Sequence, residues 1–277
     1  MLKPLLLLAA LCSLLYAQQG RGPQPPRVDM STAPRPIEMF DTVWIEDMTQ
    51  LEIRDSLRSG KTSALIMIGG MEDNGPYVIV SQHNSISHAM CDKIARQLGN
   101  ALCGPVVGMA PGNPDKSPNP GSIVLSPETF KANVSDIASS MRTQGFRNIF
   151  VMVDHGADQR PAEEAISALN GKWKGEGATA YYVKEFYNYS ELEKYESEVL
   201  GVKENSDGFH DDYYTASISL AIDPETLRMP ERIKAKKTML NGQEMNTPKA
   251  LADGRKIMQY RLDAAVRGIG RLMSEKK

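Results

Sequence analysis

The chain has 277 residues, 41% of them hydrophobic and 24% charged, with a formal net charge of −2. Those proportions are ordinary for a soluble globular protein, and a chain of this length can bury a core without staples. Lys and Arg are scattered, which excludes nucleic acid and anionic membrane as the main partner, because either needs a concentrated basic face.

Met1-Leu2-Lys3 supplies a short basic start, and residues 4–16, PLLLLAALCSLLY, form an apolar stretch too short to span a bilayer. Residues 1–17 are therefore expected to be a signal peptide cleaved after Ala17, although Leu15 is larger than the usual residue at its place. Leu11 is bulky where a lipoprotein needs a small residue before the modified cysteine, here Cys12. The expectation is a periplasmic or secreted protein with no membrane contact once the leader is gone. Residues 18–37, QQGRGPQPPRVDMSTAPRPI, read as a Pro/Gly-rich arm.

From 46 to 58 apolar residues recur at helical spacing. ALIMIGG (64–70) is a continuous apolar run ending in glycines, as in a strand buried on both faces. A helix is expected over 84–98, stopped by Gly99, and a second strand over 101–110. Ser126-Pro127-Glu128 opens a helix with an N-cap, a proline at the first position and an acid in the first turn; it runs to Gln144, before Gly145. NIFVMVDHG (148–156) is the third strand, followed by a helix to Lys174, a fourth strand at 178–186, and helices at 213–222 and 249–275. Alternating strands and helices imply an α/β fold, a mostly parallel sheet with helices on both faces, in one domain over 38–277. Residues 112–122, GNPDKSPNPGS, form a long loop suited to the rim of a site. Cys91 and Cys103, twelve apart, are either a disulfide or two buried thiols.

The four histidines carry the sharpest signal. Ligands of a parallel α/β sheet bind at the carboxyl ends of its strands. Glu72 lies at the mouth of the first strand, Asp154 and His155 at the mouth of the third, and His83 on the connection into the next helix. One carboxylate and two imidazoles form the ligand set of a catalytic zinc with an open position, where bound water becomes a nucleophile near neutral pH. A flanking His or Asp could then pass protons to a leaving nitrogen, and GFHDDYY brings His210, Asp211 and Asp212 together. The bland readings stand beside these: a lone His is more often structural, Asp211-Asp212 also suits a helix N-terminus, and Asn133-Val-Ser and Asn188-Tyr-Ser match the glycosylation acceptor only as chance would. His88 is about 140° around the helix from His83 and is read as structural.

These segments resemble the creatininase (creatinine amidohydrolase) family. Gly69-Gly70-Met71-Glu72-Asp73-Asn74-Gly75-Pro76-Tyr77 is similar to the family's G-x-x-E-Q-H-G-P-H run. Val153-Asp154-His155-Gly156-Ala157-Asp158 is similar to N-G-H-G-G-N, and His210 to Ser217 to H-A-G-x-x-E-T-S. Pro120-Gly121-Ser122-Ile123 is similar to P-G-T-I, and ADGRKIMQYRLD looks like the last helix. The resemblance covers about residues 40 to 270 in order. It implies a three-layer α/β/α fold, a metal-dependent hydrolase acting on an amide or cyclic amide C–N bond of a small molecule, and a ring-like homo-oligomer, often a hexamer. It implies two metals in creatininase itself. Here Asn74 and Ala157 stand at two ligand positions of one metal, and His83 replaces the aspartate that would bridge the pair. The inference is one divalent ion held by Glu72, His83 and His155, zinc foremost and manganese as the alternative, with His210, at the place of the family's proton-shuttling histidine, as the candidate acid/base and Asp207 or Asp212 to orient its ring. Thr215 replaces the acid of E-T-S, which makes creatinine an unsafe substrate assignment. The alternative function is non-catalytic binding of a small molecule or partner on the same fold.

Overall fold

The computed structural model describes residues 27–275; the expected leader and the first part of the arm lie outside them. Within residues 27–37, Asp29 Oδ1 accepts the Ser31 N–H at 2.9 Å in a short turn.

Four strands form one parallel sheet in the order β2-β1-β3-β4: β1 (Ser63–Ile68), β2 (Ala101–Cys103), β3 (Asn148–Val153) and β4 (Thr179–Tyr182). Every residue of β1 is buried, because helices cover both faces. The period of two sorts the side chains. Leu65, Met67, Phe150 and Met152 face one layer, and Ala64, Ile66, Ile68, Ile149, Val151 and Val153 face the other.

The first layer holds α2 (Gln82–Leu98), α6 (Tyr213–Ile222) and α8 (Pro248–Glu275); the second holds α3 (Pro127–Gln144) and α4 (Gln159–Lys172). Three shorter helices, α1 (Gln50–Arg58), α5 (Tyr189–Tyr195) and α7 (Met229–Ala235), and a hairpin of β5 (Met239–Leu240) and β6 (Gln243–Glu244) complete the set among the described residues. This is the expected three-layer α/β arrangement. At Gly254 a Cβ would run into the Ser217 carbonyl, so glycine is what lets α8 lie against α6.

Local signals set the element ends. Thr49 and Glu52 form a capping box on α1. Ser126 Oγ accepts the Thr129 N–H at 3.2 Å, and Gly145 leaves α3 in the left-handed conformation at φ 117°. The second strand is shorter than expected. Its pairing stops at Cys103 and resumes only as an isolated bridge at Val107, because Pro105 brings no N–H to the ladder. Cys91 and Cys103 are joined in a disulfide with Cα atoms 6.1 Å apart, tying α2 to β2. His88 stacks flat on Trp44, ring centroids 4.0 Å apart, away from the strand mouths. Among the described residues no helix is long and apolar enough to cross a membrane.

Candidate functional site

Three segments meet beyond the carboxyl ends of β1 and β3. The Glu72 N–H donates to the Val80 carbonyl at 2.9 Å, closing the turn after β1. His83 sits in the first turn of α2. The Asp154 N–H donates to the Ile68 carbonyl at 2.7 Å, pinning the two strand mouths together, and His155 leads into a 3-10 turn at Gly156–Asp158.

Glu72 joins the two histidines. Its Oε2 lies 2.9 Å from His83 Nε2, and its Oε1 meets His155 Nε2. Each ring is braced from behind: His83 Nδ1 donates to Asp154 Oδ2 at 3.0 Å and His155 Nδ1 to Asp158 Oδ1 at 3.1 Å. A carboxylate only accepts, so both Nδ1 atoms carry hydrogen. Asp154 and Asp158 are completely buried. Arg261, from α8, contacts Asp154 Oδ1 while its guanidinium lies 4.1 Å over the Phe186 ring.

Burial alone would raise the Glu72 pKa, but hydrogen bonds from His155 and His83 override it and hold the carboxyl well below the usual range. Burial would lower both histidines. The braces from Asp154 and Glu72 instead raise His83 to about 9, and those from Asp158 and Glu72 raise His155 to about 10. Asp154 is lowered, since Arg261 and His83 outweigh its burial. Asp158 goes the other way: burial pushes it up to about 6. The centre is a chain of alternating charge in which two Nε2 atoms face one carboxylate.

A cavity of about 350 Å³ opens beside these groups and is also lined by Asn74, Ala157, Tyr187, His210 and Asp212. His210 is exposed at its rim. Asp212 begins α6 without capping it, and burial raises its carboxyl against the opposing pull of His210 and His83. Asp207 does not join them. Its Oδ1 accepts the Phe209 N–H at 3.1 Å, and it lines a different surface hollow, so the expected Asp207–His210 pairing does not form. At Gly75 a Cβ would stand 2.7 Å from Asp211 Oδ2, which shows how closely the Glu72 turn and the His210 loop approach.

Sequence reasoning missed Arg261, Tyr187 and Asn241. Tyr187 lies just past β4, where strand-mouth logic reaches. Asn241 carried a signal in the Asn241-Gly242 pair of a tight hairpin, with φ 47° and 79°. Its Nδ2 donates to Glu204 Oε2 and to the Asp211 carbonyl, each at 2.7 Å, fastening the His210 loop to the hairpin.

The family model for creatininase, described as creatinine amidohydrolase, matches residues 46–268. The chain belongs to the creatininase family. Solved creatininases share its fold. A tryptophan-to-alanine variant of creatininase superposes with a TM-score of 0.60 at 18% identity, covering 85% of this chain and 98% of that one. The crystal structure of creatinine amidohydrolase gives 0.59 at 17%, covering 86% and 98%. A putative creatinine amidohydrolase from Bacteroides fragilis gives 0.52 at 15%, covering 75% and 89%. No functionally curated protein matches the sequence significantly. Among the solved creatininases are manganese and Zn–Zn forms and a complex with creatine.

Proposed function

We propose that this creatininase-family chain is a metal-dependent hydrolase cleaving an amide or cyclic amide C–N bond of a small molecule, with one divalent ion held by Glu72, His83 and His155. The observation that carries the reading is the convergence of two Nε2 atoms on one carboxylate while buried aspartates hold both Nδ1 atoms. Histidines that ligate metals are braced in this way. Among the described residues no three such side chains are spaced to receive an ion as they stand, because Glu72 closes directly onto both imidazoles. Ligands about 2.0–2.2 Å from a tetrahedral ion are roughly 3.3 Å apart. The 2.9 Å between Glu72 and His83 is a few tenths of an ångström short of that and the Glu72–His155 contact is shorter still, so the donor types suit a divalent ion but Glu72 must draw back from both rings to admit one.

Two further observations favour one ion. Asn74 spends its amide N–H on the Ile79 carbonyl at 3.0 Å, and Ala157 has no donor. When bound, a divalent ion at this set activates water and polarises the carbonyl of the scissile bond. Asp154 and Asp158 fix the ring orientation of the ligands. His210, on the rim with Asp212, exchanges a proton with the leaving nitrogen. Thr215, on the cavity wall, donates its hydroxyl to the Asp212 carbonyl at 3.0 Å, so a neutral group stands where the resemblance puts an acid, which points away from creatinine itself.

We read the protein as exported, which the buried Cys91–Cys103 disulfide supports, since such bonds persist outside the reducing cytosol. A homo-oligomer follows the family resemblance, and light scattering tests it. Metal analysis of the purified chain, with a screen of cyclic amides and lactams, tests the main reading. The expected result is one tightly held ion and a turnover that His155→Ala abolishes. Two full equivalents retained in His155→Ala would sink it.

A further inference from the structure

The surface hollow that Asp207 lines has a volume of about 540 Å³, within the range of small-molecule sites. It adjoins the catalytic cavity, because Asp211 lines both. Its wall takes Pro76 and Tyr77 from the turn that carries Glu72, and Phe209 from the loop that carries His210. The opposite side comes from the end of α7 and the start of β5: Arg232, Lys236, Lys237 and Met239. Phe209 and Met239 are each 53% exposed, so the hollow offers open apolar surface beside its charges.

Arg232 is the decisive residue. Its side chain is buried, with the residue only 3% exposed, and among the described residues it has no ion-pair partner. The guanidinium lies 4.9 Å from the centre of the Tyr77 ring. Nε donates to the Leu227 carbonyl at 3.0 Å, and Nη1 reaches the Lys237 and Met239 carbonyls at 3.4 and 3.5 Å. Those bonds fasten α7 to the hairpin. Nη2 has no partner among the described residues, and it is not sealed from solvent. The hollow is where Arg232 meets that solvent, so Nη2 is aimed into it. Burial lowers the Arg232 pKa against the pull of Asp211, Tyr77 and Asp207, which marks a charge poorly solvated where it stands. A buried charge left unpaired costs free energy that an anionic ligand returns, and guanidinium presents its hydrogens in a fork that matches a carboxylate.

We propose that this hollow is a recognition subsite for a carboxylate borne on an apolar group, the acid end of the substrate, with Arg232 Nη2 as its central donor. The proposal rests on the hydrolase reading for the word substrate, and on the hollow alone for the carboxylate. The scissile C–N bond then lies at the Glu72–His83–His155 centre and the acid end lies across the His210 loop, so the substrate is longer than a single small ring. Lys236 and Lys237, both exposed, add charge at the edge, and neither is ion-paired among the described residues. Two carboxyl groups oppose these three cations. Asp207 turns to its own loop, its Oδ1 accepting the Phe209 N–H at 3.1 Å and its Oδ2 the Asn241 N–H at 3.5 Å. Asp211 is pushed up to about 6 by burial. Three cations against two acids favour a monoanion over a doubly charged phosphate. Tyr77, Phe209 and Met239 supply the contact for its apolar body.

The test uses two probes of the same shape, hydrocinnamate and its neutral methyl-ketone counterpart benzylacetone, titrated calorimetrically into the full chain. The wild type should bind the carboxylate at least about tenfold more tightly than the ketone. Arg232→Gln should bring the two within about twofold. If Arg232→Gln does not fold, the Lys236→Glu/Lys237→Glu double variant reverses two exposed charges and should abolish the preference in its place. Inorganic phosphate should compete with hydrocinnamate at least about tenfold less well than hydrocinnamate itself, and equal competition overturns the choice of a carboxylate. Equal binding of both probes, no binding of either up to ~10 mM, or a preference that survives the variant overturns the proposal. His155→Ala separates the subsite from the metal centre. The preference should persist there, and its loss would mean that the carboxylate had been sitting on the ion. An intact preference, with metal and turnover absent from every form, would defeat the hydrolase reading and leave the subsite standing.

Discussion

His83 donates its Nδ1 hydrogen to Asp154 across 3.0 Å, and that carboxylate contacts Arg261 through its other oxygen. The pair joins the first turn of α2 to the end of β3, and Arg261 adds α8, so the candidate ligand is fixed by three elements distant in sequence. Asp154→Asn preserves the shape but weakens the charge that orients the ring. It should lower metal affinity about 10–100-fold while circular dichroism stays unchanged. Retention of wild-type affinity in a chelator competition would remove Asp154 from the support of the site.

Metal uptake should release protons. Both histidines are raised, His83 to about 9 and His155 to about 10, so at neutral pH their Nε2 atoms hold hydrogens that a ligand must give up. Calorimetry in buffers of differing ionisation enthalpy should find up to about two protons released per ion at pH 7, and affinity rising with pH up to about 10. The same shifts govern the metal-free protein. A raised histidine contributes stability that is complete below its unfolded pKa, near 6.5, and is lost as pH climbs through the folded value. The metal-free chain should therefore lose thermal stability between pH 7 and 10. No release of protons would mean that the imidazoles are already neutral.

The disulfide makes a separate demand. Joining Cys91 to Cys103 closes a loop with a sequence separation of 12, and constraining such a loop in the unfolded chain stabilises the fold by about 3 kcal/mol. The Cys91→Ala/Cys103→Ala double variant should lose about 2–3 kcal/mol in denaturant unfolding, and reduction of the wild type should reproduce most of that loss. Equal midpoints for oxidised and reduced protein would contradict it.

What the sequence made legible, and what it hid, divides along a physical line. The strands of Ser63–Ile68 and Asn148–Val153 announce themselves because burial on both faces needs unbroken apolar runs, and α3 because its cap, proline and terminal glycine are local. The meeting of Glu72, His83 and His155 was legible because all three lie at or just after strand mouths. Arg261 was not, since its partner Asp154 lies 107 residues away and helical periodicity marks it only as one more charge on α8. The disulfide stayed open because a spacing does not fix the distance between two Cα atoms. Asp207 misled because proximity in sequence to His210 says nothing of direction: the Gly208 bend, at φ 89°, follows it, and its carboxylate turns back to its own loop.

His210 gives the sharpest discrimination between roles. It lines the same cavity as His83 and His155, yet it stands exposed at the rim and makes no hydrogen bond to Asp207 or Asp212 among the described residues. An exposed imidazole free of a brace suits proton exchange with a leaving group, whereas the braced pair suits holding a metal. His210→Ala should keep one ion per chain while turnover falls about 10²–10⁴-fold, the usual worth of a positioned acid/base. His83→Ala and His155→Ala should lose metal and turnover together. Asp212→Asn should give a smaller fall, about tenfold, and move the acid limb of the kcat/KM profile, because it removes charge beside His210 without touching the donor set. A metal-free His210→Ala protein would put His210 among the ligands, with Asp212 supporting the metal.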